Sequence, residues 1–212
     1  MNKRASRRWR LGRDRRGAVM VELALALPVL LILLIGFTEG YLYVRAAVAL
    51  ERVAFDMANL IARRTLICRA TSTSDPNSIN TYLTTVAPLS AQPLDIADSG
   101  EVIVSGVVYD SASAAAVVRW QAVSAYTLSG IVSGIGTVGG KATLAGGIVP
   151  TSGGDTVIVV EAFHAHDWLV GLRGLMPTLP TATTLKRTAY FRGRVASLAT
   201  LNTAATNPAC PD

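Results

Sequence analysis

Outside its first seventeen residues the chain has no excess of basic charge. Residues 1–17 carry eight bases and one acid, whereas the remainder carries twelve bases and thirteen acids, so the net +6 and the pI near 9.7 belong to the leader. Basic patches with interleaved aromatics, the electrostatic footprint of nucleic-acid binding, are absent from the body. Catalytic constellations are lacking as well. The only two histidines lie two apart in His164-Ala165-His166-Asp167. On a strand they share one face, a possible metal pair with Asp167 pointing away, but a zinc site needs at least one further ligand that no spacing signals. Gly139-Gly140-Lys141 lacks the hydroxyl residue that follows the lysine of a phosphate loop. Serine and threonine are abundant without a placed base. The expectation is a protein that is not an enzyme and has no cofactor or metal.

What the chain does have is one long apolar run. Ala18 to Phe37 is interrupted only by Glu22 and Pro28, and at 1.5 Å per residue twenty helical residues match a hydrocarbon core of about 30 Å. Lys3, Arg4, Arg7, Arg8, Arg10, Arg13, Arg15 and Arg16 precede it. By the positive-inside rule they hold the N-terminus in the cytoplasm and place the chain beyond about Tyr41 across the membrane. A carboxylate such as Glu22 in a spanning helix costs about 2.5 to 3.5 kcal/mol near the bilayer centre, which makes a functional reading the default.

Three kinds of processing fit such an N-terminus. A secretory signal has a 7–15 residue apolar core and then a small-residue cleavage site; here the run leads into Thr38-Glu39-Gly40-Tyr41-Leu42-Tyr43, a poor site. Ser6-Arg7-Arg8-Trp9-Arg10-Leu11 matches a twin-arginine signal only loosely. The third is cleavage before the apolar run: a charged leader closed by Gly17, Ala18 as the new first residue and Glu22 as its fifth resemble the type IV prepilin site.

The longer stretch from Arg16 to Pro28, with a second glutamate, Glu39, closing the span, resembles TadE-like proteins, minor pilin or pseudopilin components of tight-adherence (Flp, type IVc) pilus systems. The resemblance covers about residues 15–65 and departs in Leu23, where an aromatic commonly follows the glutamate. It implies cleavage between Gly17 and Ala18 by a prepilin peptidase. It also implies pairing of Glu22 with a neighbouring subunit's amino group, and partners among pilin or pseudopilin subunits and the inner-membrane pilus assembly machinery. Pro28 removes one helical N–H and is expected to kink the span.

From Glu39 to Arg69 there is no proline, and no glycine after Gly40. Leu42, Ala46, Ala49, Val53, Met57, Leu60 and Leu66 or Ile67 recur near helical spacing, which predicts an amphipathic continuation to about Arg69. Asp75 and Pro76 read as the N-cap and first residue of a short second helix carrying Ile79, Tyr82, Leu83 and Val86. After Pro88 the pattern alternates, and four strands are expected at Glu101 to Tyr109, Ala115 to Leu128, Thr156 to His166 and Leu185 to Val195. In the second, Val118, Trp120, Ala122, Tyr126 and Leu128 are expected on one buried face, with a wetter face opposite.

The fold class is therefore α+β: a long N-terminal transmembrane and stalk helix packed on a small antiparallel sheet. The expected divisions are a leader at 1–17, a span at 18–40, a stalk at 41–70 and an exported domain at 71–212. Residues 129–154 hold nine of the eighteen glycines and read as a flexible insertion or extended hairpin. A sharper alternative has Ile131, Val132, Ile135, Val138 and Leu144 ordered against a partner subunit. Cys68 and Cys210 would both lie on the oxidising side, where an isolated pair bridges. Such a bond closes a loop of about 140 residues and stabilises by roughly 4 to 5 kcal/mol on the chain-entropy model.

The implied function is structural: a membrane-anchored minor pilin or pseudopilin in the assembly, priming or tipping of a tight-adherence pilus. The alternative is an uncleaved single-pass envelope protein whose exported domain binds a ligand or another protein.

Overall fold

The computed structural model describes residues 16–126, 128, 130–145, 148–168 and 182–210. The chain divides into two units, Met1–Leu42 and Tyr43–Asp212. The first helix, α1 (Arg16–Ala62, 47 residues), runs through the division. The leader lies outside the described residues except for Arg16 and Gly17.

Within the second unit α1 is amphipathic. Leu50, Val53, Ala54, Met57, Ala58 and Ile61 are buried at i, i+3, i+4 and i+7 spacing, while Glu51, Arg52 and Phe55 remain exposed. Each large side chain of this stripe contributes about 1.5 to 3 kcal/mol by leaving water.

The helix stops at Ala62, seven residues short of the expected Arg69. Beyond it Ile67 and Cys68 find backbone partners elsewhere: Cys68 N donates to Asn77 O (2.7 Å), Ile79 N to Cys68 O (2.9 Å) and Asn202 N to Ile67 O (3.0 Å). These bonds replace helical ones, aided by the modest helix propensity of Thr65 and Ile67. Arg194 N donates to the otherwise orphaned Ala62 carbonyl (3.1 Å).

The second helix also differs from expectation. It begins at Ile79, and Asp75 instead accepts from Asn77 N (2.7 Å) in the preceding turn. We label as α2 the continuous run Ile79–Thr81, a π-helical turn Tyr82–Val86 and Ala87–Ala91. Pro88 does not end it. A proline clashes with the carbonyl four residues back, and the wider turn, closed by Ala87 N to Tyr82 O, lies just before it. A last turn, α3 (Ile96–Ser99), leads into the sheet.

The sheet has four antiparallel strands: β1 (Gly100–Asp110), β2 (Ala115–Val123), β3 (Thr156–His166) and β4 (Thr183–Arg192), in the order β2-β1-β3-β4. One face carries Val102, Val104, Trp120, Ala122, Ile158, Val160, Ala162 and Leu185 against α1 and α2. Trp120 Nε1 donates to Leu198 O (2.9 Å) in a 3₁₀ turn, Ala196–Ala199.

Two expectations about β2 are corrected. It ends at Val123 rather than Leu128, and Val118 does not share a face with Trp120. The register passes from Gly106 opposite Trp120 to Val107 opposite Val118, which leaves Arg119 unopposed as a β-bulge. The extra residue shifts the side-chain phase by one. Trp120 and Ala122 thus enter the helix-side core, while Ala116 and Val118 enter a second cluster with Val107, Val157 and Val159. Glycine at 106 has a steric reason, because a Cβ there would collide with the Trp120 indole.

That second cluster lies on the sheet face away from the helices, while along β2 itself burial still alternates and Arg119 and Val123 stay exposed. The glycine-rich segment covers the cluster. Ile135 and Ala142 are buried, and Leu144 and Ile148 pack against them. Gly139 N donates to Val118 O (2.7 Å), Val118 N to Gly140 O (3.0 Å) and Ala142 N to Ala116 O (2.8 Å). Gly136 and Gly139, with φ of +118° and +84°, supply turns that other residues adopt only under strain. Ile135 and Leu144 are therefore ordered against their own sheet rather than a partner, whereas Val132 and Val138 stay exposed.

Candidate functional site

In the first unit the apolar residues of α1 face outward on every side: Leu25 is 72% exposed, Ile32 70% and Phe37 76%. A helix apolar all round is stable only when something else buries it. The most apolar window of α1 has a mean hydropathy of 2.8, and the helix is long and apolar enough to cross a membrane. Gly17 and Ala18 sit exposed in its first turn, Glu22 is exposed one turn later, and Pro28 lies inside the helix. A Cβ added at Gly17 would meet nothing within 4 Å, so packing among the described residues does not demand glycine there. Thr38 Oγ1 donates to Leu34 O (2.8 Å), which satisfies its hydroxyl inside the helix. Glu39 is half-buried, and its Oε2 has no hydrogen-bond partner among the described residues.

In the second unit Cys68 and Cys210 are joined by a disulfide (S–S 2.04 Å, Cα–Cα 5.5 Å), which packs with Leu66 and Ala70. It ties the C-terminal segment to the stretch just beyond α1.

The two histidines project from β3 on the helix side of the sheet. His164 Nδ1 lies 3.1 Å from Ser99 Oγ. Burial, and then the neighbouring His166, push the His164 pKa below its ordinary value, which favours the neutral ring. His166 meets Trp168 edge-on (ring centroids 4.9 Å) and Tyr43 edge-on (5.6 Å). Among the described residues no three His, Cys, Asp or Glu side chains gather closely enough to hold a metal ion.

Buried acids were not singled out by sequence reasoning. Glu161, fully buried, binds Lys186 Nζ (2.6 Å) and accepts from Ser133 Oγ and from Gly134 N (2.9 Å), which fastens the glycine-rich layer to β3. Its signal was an acid inside the otherwise apolar Val157-Ile158-Val159-Val160-Glu161-Ala162-Phe163. Glu101 is buried, accepts from Ser124 Oγ, and has its pKa raised by burial. Burial, with Glu101 nearby, pushes the Tyr126 phenol up to about 12, and its hydroxyl donates to Leu83 O.

Apolar helix and sheet together define a class: an α+β protein with one N-terminal segment able to span a membrane and a disulfide-closed domain beyond it. Within that class, residues 17–59 match the family model described as TadE-like protein, so that stretch of the chain is similar to TadE-like proteins. The match begins at Gly17 and covers most of α1 and none of the sheet. No curated protein and no solved structure matches the chain.

Proposed function

We propose that this chain is a structural minor pilin or pseudopilin that takes part in assembling, priming or tipping a tight-adherence pilus. Prepilin peptidase removes residues 1–17, and residues 18–40 hold the product in the inner membrane. The N-terminus faces the cytoplasm and the domain at 71–212 the periplasm, from which the protein can pass into a fibre with other pilin subunits. The carrying observation is a TadE-like match that starts at Gly17 and contains Glu22 and Pro28. The absence of any packing reason for Gly17 supports a role in recognition by the peptidase. Glu22 is exposed on an otherwise apolar surface, and a carboxylate in hydrocarbon is tolerable when a cation, here a neighbour's α-amino group, meets it.

The test is Glu22→Ala in the native host. Membrane insertion should be retained or improved, because an apolar residue inserts more easily, while pili are lost. Normal piliation by a stably produced variant would contradict the pairing.

A further inference from the structure

Three amphipathic rings gather where the second unit begins. Tyr43 stacks on Trp168 (centroids 5.3 Å, interplanar angle 21°), and His166 meets both edge-on. Trp168 Nε1 donates to Thr183 Oγ1 (2.8 Å), so the cluster joins α1, the end of β3 and the start of β4. Tyr43 and Trp168 are half-buried and His166 is buried, while Tyr41, Val44 and Arg45, beside Tyr43 along the chain, are exposed. Among the principal buried clusters the group touches only the helix-side one, through Tyr43 at its edge.

Position along the helix identifies the partner. Tyr43 stands three residues beyond Gly40 in an uninterrupted helix, about 4.5 Å of rise. If residues 18–40 fill the hydrocarbon core, that step ends in the headgroup layer, where tyrosine and tryptophan rings settle with apolar bodies inward and polar tips in water. Arg45, two residues on, can lay its stem along that layer and reach lipid phosphates. We propose that Tyr43, Trp168 and His166 form an interfacial foot that rests the sheet's β3–β4 end on the lipid headgroups. The inference depends on the membrane reading of residues 18–40.

Tryptophan makes this measurable, since the chain has three: Trp9 in the leader, Trp120, which is 5% exposed in the core, and Trp168. The full chain carrying Trp9→Phe is reconstituted into phosphatidylcholine vesicles brominated either near the glycerol end or near the middle of the acyl chains. The shallow bromines should quench a component of the emission more than the deep ones do, and adding Trp168→Phe should abolish that component. Quenching equal to that of the Trp168→Phe variant, in protein that resists alkaline extraction from the vesicles, would overturn the foot and leave the span standing. Protein released by alkaline extraction would overturn the membrane reading and the foot with it. The depth comparison within the single variant stands even if Trp168→Phe folds poorly.

Discussion

Gly106 shows how one missing side chain can organise a core. Its Cα–H faces the Trp120 indole across the β1–β2 ladder, and the ring occupies the space of a methyl group. Gly106→Ala should therefore displace Trp120 and loosen its bond to Leu198, at a cost of about 1 to 3 kcal/mol as in other overpacked cores. Chemical denaturation of the protein reads this directly, and an unchanged midpoint would contradict the assigned packing. His164 sets a second expectation at this scale. Its folded pKa is depressed by burial, so its contribution to stability is fully present above the unfolded value near 6.5 and is lost as pH falls through the lower folded one. Melting temperatures measured from pH 7.5 downward should fall more for the parent than for His164→Gln. Parallel curves would show that the imidazole is not kept neutral by the fold.

Among elements, the glycine-rich layer departs most from what its composition suggests. Nine glycines and one charge in residues 129–154 read as slack chain, yet the segment seals a sheet face, because Ile135 and Ala142 bury against Val107 and Val159. The missed signal lay in the strands it covers. β1 and β3 are nearly continuous apolar runs rather than alternating ones, the mark of a sheet buried on both sides. The phase shift at Arg119 was not legible at all, since a bulge depends on which partner residue each position meets. Glu161 fastens the layer. Glu161→Ala strands Lys186, Ser133 and the Gly134 amide, and because Lys186 keeps 40% of its side chain in water, the loss should lie near the lower end for a broken buried pair, about 3 kcal/mol. Amide exchange at Val118 and Ala142, which are bonded to or within the layer, should accelerate in that variant. Unchanged exchange would show that the apolar contacts alone hold the layer.

At the scale of the whole molecule, two kinds of information divide the chain. The expected span at 18–40 and its boundaries come from hydropathy and charge, both local quantities, and the family match at 17–59 contains that stretch. The class of the distal domain, a helix on an antiparallel sheet, was readable from the change of period after the helices. Its edges were not: α1 ends early because residues 67, 68, 77 and 202 pair across distances that no local pattern encodes. The Cys68–Cys210 bond, 142 residues apart in sequence, gathers those same segments, and its pairing was readable only because the chain has no other cysteine. Charge separates along the same line, with a basic leader ahead of a nearly neutral body.

On the proposed function this leader is a processing signal rather than a permanent cytoplasmic tail. The intact mass of the protein purified from its native host, where the prepilin peptidase is active, decides the matter. A chain that begins at Ala18, lacking residues 1–17, is the predicted result; a mature protein that still carries Met1 to Gly17 would contradict the pilin reading.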